Sequence, residues 1–171
     1  MSACFLKGDI MLSDNKLIIR KATASDISAL ADILDCATQK LLDKGVQQWE
    51  YPWDKTVIQG YVEKNEFYIA LWDGAPCGCF GLKKYVPNRF VPQDTDGEYW
   101  YHLAVHPEYD KLGIGYMLCR WVQKYSRQTG ITIYFDCWAG NKSLRNYYSF
   151  NGFEHIGDFP EEDYFVSAFR Y

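Results

Sequence analysis

Between residues 98 and 125 the sequence changes period once, and that change constrains the fold more than any other feature. Glu98–Val105 is an apolar, aromatic run with the composition of a strand, and His106-Pro-Glu-Tyr-Asp is polar. Beyond Lys111-Leu-Gly-Ile-Gly, the residues Ile114, Met117, Leu118, Trp121, Val122 and Tyr125 recur at the spacing of an amphipathic helix. A strand, a short loop and a helix opened by Gly113-Ile-Gly115 provide a place for an anion. First-turn N–H groups lack intrahelical acceptors and carry partial positive charge, and glycines remove the Cβ atoms that would hold a phosphate off. Tight packing also puts glycines before helices, so this stretch alone leaves both explanations open. Two phosphate-binding patterns are excluded. A dinucleotide fingerprint needs a third glycine where Leu118 stands, and a P-loop needs Gly-Lys-Ser/Thr where Gly115-Tyr116-Met117 stands.

The other elements follow from local signals. Leu17-Ile-Ile-Arg20 reads as a short strand, Thr23-x-x-Asp26 as a capping box, and Ile27, Leu30, Ala31, Leu34, Ala37 and Leu41 as one helix face that stops at Gly45. Asp54 caps a second helix carrying Val57, Ile58, Tyr61 and Val62. Residues 66–72 and 77–83 read as strands joined by Asp73-Gly74, a hairpin turn that pairs them antiparallel. Residues 85–97 read as a long loop and 131–137 as a strand. Asn141 caps a short helix stopped by Gly152, and residues 153–159 and 164–169 supply the last two strands. The expectation is one mixed α/β domain over residues 17–171, behind an N-terminal extension, 1–16, that shows no clean period.

Composition narrows the function. The 171 residues carry a formal net charge of −4 at pH 7, which argues against nucleic acid as a partner. The longest apolar run, 67–72, is far short of the roughly 18 residues that cross a bilayer, and the first residues lack a basic-then-apolar leader. A soluble, cytoplasmic chain is therefore expected. Six cysteines read as reduced, buried thiols, with Cys77 and Cys79 on one face of a strand. Zinc is not expected, because His102, His106 and His155 have no ligand-like spacing, and no motif sets a histidine beside a cysteine nucleophile. Aromatic residues make up 18% of the chain, more than a core of this size needs, so some are expected to line a ligand site.

Taken with its flanks, Leu103-Ala-Val-His-Pro-Glu-Tyr-Asp-Lys-Leu-Gly-Ile-Gly-Tyr-Met-Leu118 resembles motif A of the GNAT superfamily of acyl-CoA-dependent N-acetyltransferases. In that motif a strand leads into Gln/Arg-x-x-Gly-x-Gly/Ala and a helix. Asn141-x-x-Leu144-x-x-Tyr147-Tyr148-x-x-x-Gly152-Phe153 resembles the family's motif B, and the element order from Leu17 to Tyr171 agrees with the family. The resemblance implies an α/β (α+β) fold: a single GNAT-like domain whose mixed, mostly antiparallel sheet has splayed central strands and flanking helices. It implies acetyl-CoA as cosubstrate, no metal, and direct transfer of the acetyl group to a primary amine without an acyl-enzyme. By position it implies cofactor contacts from Leu103, Ala104 and Val105 on the splayed strand, and from Lys111, Leu112, Gly113, Ile114, Gly115 and Tyr116 around the pyrophosphate. Asn141 would contact the cofactor arm. Tyr148 matches the tyrosine that protonates the departing thiolate, a phenol of pKa about 10 facing a thiol of about 8.5. Asp110 departs from the pattern: it holds the Gln/Arg position, where a carboxylate repels a pyrophosphate unless it turns to solvent or to Lys111.

Neither motif marks the base that deprotonates the amine. The position used in several family members, four residues before Leu103, is Tyr99, and Tyr101 is the next on that face; neither is a ready base. Glu98 and His102 belong to the opposite face of a regular strand, and a bulge would re-aim one of them. Glu98, acting directly or through water, is the expected base, with a solvated strand-end carboxylate as the alternative. Gln47-Gln48-Trp49-x-Tyr51-Pro52-Trp53 resembles a segment bordering the acceptor pocket in small bacterial members. Trp49 and Trp53, with Tyr99 and Tyr101, are expected to wall the amine site, and plain packing is the competing explanation for the tryptophans. Glu50 and Asp54 would attract a cationic amine. The acidic balance favours a small-molecule amine acceptor, with no nucleic acid or membrane partner, and a homodimer is admitted. Two other functions stay open: a non-catalytic acyl-CoA-binding sensor, and a peptide or protein N-acetyltransferase.

Overall fold

A computed structural model describes residues 16–87, 90–91 and 96–171. All of the N-terminal extension but Lys16, the thiol of Cys4 and part of the 85–97 loop lie outside the described residues. Seven strands form one sheet in the order β1-β2-β3-β4-β5-β7-β6, where β1 is Leu17–Lys21, β2 Phe67–Trp72, β3 Ala75–Lys84, β4 Glu98–Val105, β5 Ile133–Trp138, β6 Glu154–Glu161 and β7 Tyr164–Arg170. The helices are α1 (Ile27–Leu42), α2 (Lys55–Glu63), α3 (Ile114–Thr129) and α4 (Lys142–Phe150), with 3-10 segments at Ala24–Asp26 and Pro107–Leu112. Two compact units share these elements. One runs to Cys79 and includes Ala104–Ile114; the other is Phe80–Leu103 with Gly115–Tyr171. Among the described residues no helix is long and apolar enough to cross a membrane.

In the first unit the chain passes from β1 into α1 through a polar clamp. Arg20 donates to both oxygens of Asp26 at 2.7 and 2.9 Å, and the amide and hydroxyl of Thr23 donate to the same carboxylate at 2.8 and 2.9 Å. This is the capping box read from the sequence. The helix buries Leu30, Ile33 and Leu34, and α2 buries Ile58. Asp54 caps α2 by accepting from the Thr56 amide at 2.8 Å. Asp73 and Gly74 both have positive φ (48° and 84°), as a two-residue hairpin turn requires, so β3 resumes at once, at Ala75. Cys77 and Cys79 are fully buried, and burial raises the Cys77 thiol to about 11.

The second unit absorbs much of the aromatic surplus. Phe135 of β5 lies 5.3 Å from Trp100, 4.7 Å from Tyr148, 4.9 Å from Phe153 and 5.3 Å from Phe169, ring centre to ring centre. Tyr85 stacks on Tyr134 at 4.3 Å and its hydroxyl accepts from the amides of Phe90 and Val91, so the described part of the 85–97 loop is folded onto the sheet. Asn141 caps α4 by accepting from the Leu144 amide at 3.0 Å, and Gly152, at φ 85°, follows its last turn. Buried Gln123 accepts from Arg120 at 2.9 Å and donates to the Asn151 carbonyl at 2.7 Å, tying α3 to the end of α4.

One pairing positions the site. β4 and β5 run parallel, in register at Glu98↔Ile133 and Tyr99↔Tyr134. Among the described residues their ladder goes no further, whereas β5 continues antiparallel to β7 from Tyr134 to Trp138. Beyond Tyr99 no residue of β4 is registered with β5 among the described residues.

The Arg20 guanidinium, followed by the Thr23 groups, holds the Asp26 carboxyl well below the usual carboxylate range against the opposing effect of burial. The folded pKa lies below the unfolded value of about 3.9, so the stabilisation is complete above about pH 4 and is lost as pH falls toward the folded value. Asp26→Asn is expected to lower the urea midpoint at pH 7 and to flatten the decline in stability between about pH 4 and pH 2. Denaturant titrations across that range measure both effects.

Candidate active site

The 3-10 segment before α3 is opened by His106, whose Nδ1 accepts from the Glu108 amide at 3.3 Å. Gly113 closes it in the left-handed conformation, φ 71° and ψ 22°. A Cβ there would meet nothing within 4 Å, so glycine is required by the backbone and not by space. Gly115 is the reverse case. Its φ is not left-handed, and a Cβ would meet only the Tyr147 hydroxyl at 3.9 Å, an ordinary contact. Glycine within a helix costs about 0.5–1 kcal/mol relative to alanine. Neither strain nor crowding accounts for Gly115. What it leaves is clear room against the first-turn N–H groups of 114–117, the fit an anionic group needs.

Lys111, Leu112 and Gly113 are exposed beside this turn, as is Tyr116. Asp110 turns neither to solvent alone nor to Lys111. It forms an ion pair with Lys40 of α1, 70 positions away, each side chain about two-fifths exposed (41% and 39%). Its negative charge is thereby met inside the protein.

On β4 the alternation breaks at His102, whose φ is 49°. Before that point the strand is regular. Tyr99 and Tyr101 share one face with rings stacked 6.1 Å apart and 8° from parallel, and Trp100 faces the other way, 6.1 Å from Phe80. Glu98 shares the Trp100 face: its Oε1 accepts from the Tyr125 hydroxyl of α3 at 3.2 Å, and its Oε2 is buried. This corrects the expectation for Glu98. The one positive φ on the strand falls at His102, beyond Glu98, and the Glu98 carboxylate stays beneath α3.

The His102 ring meets the Tyr101 ring edge to face at 4.9 Å, and Lys83 of β3 lies over both tyrosines, 4.6 Å from the Tyr101 ring centre and 5.8 Å from that of Tyr99. Burial, then the Lys83 charge, pulls the His102 pKa down to about 4. At pH 7 it is a neutral imidazole, with one ring nitrogen able to take a proton. Tyr99 is tethered through its hydroxyl, which donates to Asp136 at 2.5 Å. Tyr101 lies flat across Gly81, where a Cβ would fall within its ring.

Tyr148 is buried on the inner face of α4, 5.9 Å from Phe153 and 5.6 Å from Phe169. Burial, with Cys119 next in effect, holds its phenol well above the ordinary range, so it keeps its proton at pH 7. Its neighbour Tyr147 is hydrogen-bonded to the Cys119 thiol. Trp49 and Trp53 pair edge to face at 5.8 Å. Trp53 is anchored to α1: its amide donates to Asp35 at 2.7 Å and its indole N–H to the buried Thr38 hydroxyl at 3.0 Å. That arrangement accounts for Trp53 as packing, and Glu50 is exposed.

Sequence reasoning missed Lys83 and Lys40. Asp110 called for a cation, but no spacing singles out one among 18 lysines and arginines. Nothing in the sequence marks Lys83 beyond its place at the end of a strand, and its nearness to the tyrosines comes from the pairing of β3 with β4.

A cradle with a vacant Cβ position before an amphipathic helix, a strand interrupted by one positive φ, and a buried phenol on the following helix occur together in a known family. The family model described as acetyltransferase (GNAT) family matches residues 28–153, and the chain belongs to that family; it is an acyl-CoA-dependent acetyltransferase. Solved structures share its fold. One is a GNAT-family acetyltransferase from Listeria monocytogenes, 17% identical, covering 91% of this chain and 95% of that one at a TM-score of 0.74. Another is the PaiA N-acetyltransferase from Thermoplasma acidophilum in complex with coenzyme A, 20% identical, covering 91% and 99% at 0.68. A third is YncA from Salmonella typhimurium with its cofactor acetyl-CoA, 14% identical, covering 92% and 94% at 0.67. No curated protein matches the sequence.

Two outcomes follow from this geometry. In NMR titrations the His102 imidazole is expected to protonate near pH 4, and Lys83→Ala to raise that value without restoring the ordinary one, because burial is the larger cause. Gly81→Ala is expected to destabilise the chain by about 1–3 kcal/mol through collision with the Tyr101 ring. Adding Tyr101→Ala should cancel part of that loss in a denaturation cycle.

Proposed function

We propose that the chain transfers an acetyl group from acetyl-CoA to the primary amine of a small molecule that also carries an anionic group, by direct attack, with His102 as base and Tyr148 as acid. The observation that carries this reading is the neutral His102 imidazole beside the stacked Tyr99 and Tyr101 rings, one residue before Leu103, Ala104 and Val105. Acetyl-CoA, when bound, supplies the acetyl thioester. Residues 111–116 hold its pyrophosphate through first-turn amides and the Lys111 charge, with Gly115 giving room and Lys40 countering Asp110. Leu103, Ala104 and Val105 offer main-chain groups to the cofactor arm, with Asn141 contributing from the start of α4, and an N–H near Val105 polarises the thioester carbonyl.

His102 accepts the amine proton as the nitrogen bonds to the acetyl carbon. As the carbon–sulfur bond breaks, the Tyr148 hydroxyl gives its proton to the departing sulfur, and both residues recover by exchange with water. Apolar surroundings raise a thiol as they raise a phenol, so the second transfer stays close to balance. Tyr99 and Tyr101 wall the acceptor. Lys83 over the tyrosine rings moves the reading from a cationic amine to one bearing a carboxylate or phosphate, which a lysine attracts and a polycation lacks.

Release of free CoA across amino acids, aminophosphates, polyamines and peptides tests the reading. Amino compounds with an anionic group are expected to give the highest kcat/KM, and preference for polyamines or peptides would overturn the acceptor assignment. His102→Gln and Tyr148→Phe are each expected to lower kcat by about 10²–10⁴-fold with acetyl-CoA affinity kept. A His102→Gln enzyme of normal kcat would remove His102 as the base. Gly115→Ala is expected to raise stability by roughly 0.5–1 kcal/mol while weakening acetyl-CoA binding, read by calorimetry.

A further inference from the structure

Three donors of different chemistry meet in the first unit, none of them a residue given a part in the proposed acetyl transfer. Asp32 and Cys36 stand one turn apart on α1, which puts them on one face of that helix. His106 stands at the start of the 3-10 segment Pro107–Leu112, fixed by its amide, which donates to the Cys77 carbonyl at 2.9 Å. A carboxylate oxygen of Asp32, the Cys36 thiol and a ring nitrogen of His106 all lie within 4.8 Å of one another. Nε2 of His106 is 3.7 Å from Asp32, and its Nδ1 is 3.9 Å from the Glu108 carboxylate.

We propose that Asp32, Cys36 and His106 form a three-ligand site for a thiophilic divalent ion of the zinc class. A carboxylate, a thiolate and an imidazole are ligands zinc takes in tetrahedral sites, where donor atoms sit about 3.5 Å apart. The trio needs to draw in by about 1 Å to reach that spacing. Binding through Nε2 requires the tautomer protonated at Nδ1, which gives up the bond it accepts from the Glu108 amide and turns Nδ1–H to the Glu108 carboxylate, 3.9 Å away, the carboxylate–histidine arrangement that orients a metal-bound imidazole. Water takes the fourth position. Asp32 and Glu108 both approach the His106 ring, so carboxylate charge stands beside the thiol. On binding, the thiol proton passes to solvent as the metal–sulfur bond forms.

The ion fastens the 3-10 segment to α1. One turn further along both elements, Lys40 and Asp110 make a second fastening between the same pair. The proposal does not rest on the acceptor or on the identity of the base.

The test uses the full chain, stripped with chelator and titrated with Co²⁺ and then Zn²⁺. One equivalent of Co²⁺ is expected to produce a sulfur-to-cobalt charge-transfer band that Zn²⁺ bleaches. Cys36→Ser should abolish the band, and His106→Gln and Asp32→Asn should each weaken Zn²⁺ binding by about tenfold or more. Far-ultraviolet circular dichroism confirms that each variant folds. Asp32 is 71% exposed, so its exchange for asparagine keeps the test decisive if a variant at Cys36 or His106 does not fold. Absence of the cobalt–thiolate band in the parent chain would overturn the proposal. So would a band that persists in Cys36→Ser, or Zn²⁺ affinity unchanged in Asp32→Asn.

Discussion

The second unit depends on a single backbone event, the left-handed residue in the middle of β4. A regular strand shows its side chains alternately to two faces, and a non-glycine residue at positive φ interrupts that order at a cost in conformational energy. At His102 the interruption comes three residues after the last registered pair between β4 and β5. On the near side Glu98 and Trp100 face the helix layer and Tyr99 and Tyr101 the other. Past it no residue of the strand is registered with β5 among the described residues. The same residue that ends the alternation is turned beside a tyrosine ring and a lysine, where it stays uncharged.

Much of this fold is legible in the sequence because its signals are local. The Thr23/Asp26 box, the Asp73-Gly74 turn, the Asn141 cap and the stripe of α3 each depend on residues within a few positions of one another, and each is found where the pattern places it. The two motifs likewise locate the cradle and α4. Direction and partnership are less legible. Whether Glu98 or His102 is re-aimed turns on one φ angle, which no residue type specifies. The Asp110 partner is 70 residues away, and the nearness of His106 to Asp32 and Cys36 comes from packing α1 against a 3-10 segment that follows it by more than 60 positions. Histidine spacing along the chain carries no trace of that meeting.

Charge is arranged against the overall balance. A chain with net charge −4 does not draw an anionic cosubstrate by its long-range field, so attraction has to be local. In the proposed function the helix-terminus amides supply it, because their partial charges are fixed by the backbone. The Lys40–Asp110 pair is half exposed and adds little to stability by itself. Its effect is to meet the Asp110 charge within the first unit. Lys83 does the opposite on another surface, placing a positive charge over tyrosine rings in a chain with acid to spare.

Gly81 and Tyr101 carry a consequence for how such a chain can vary. The ring of one occupies the space where the side chain of the other would begin. The two positions are therefore inherited as one choice. A side chain at 81 favours a smaller residue at 101, and with it a different surface beside His102. Diversification of what this strand greets is then expected to proceed by paired exchange across β3 and β4 rather than by single substitutions.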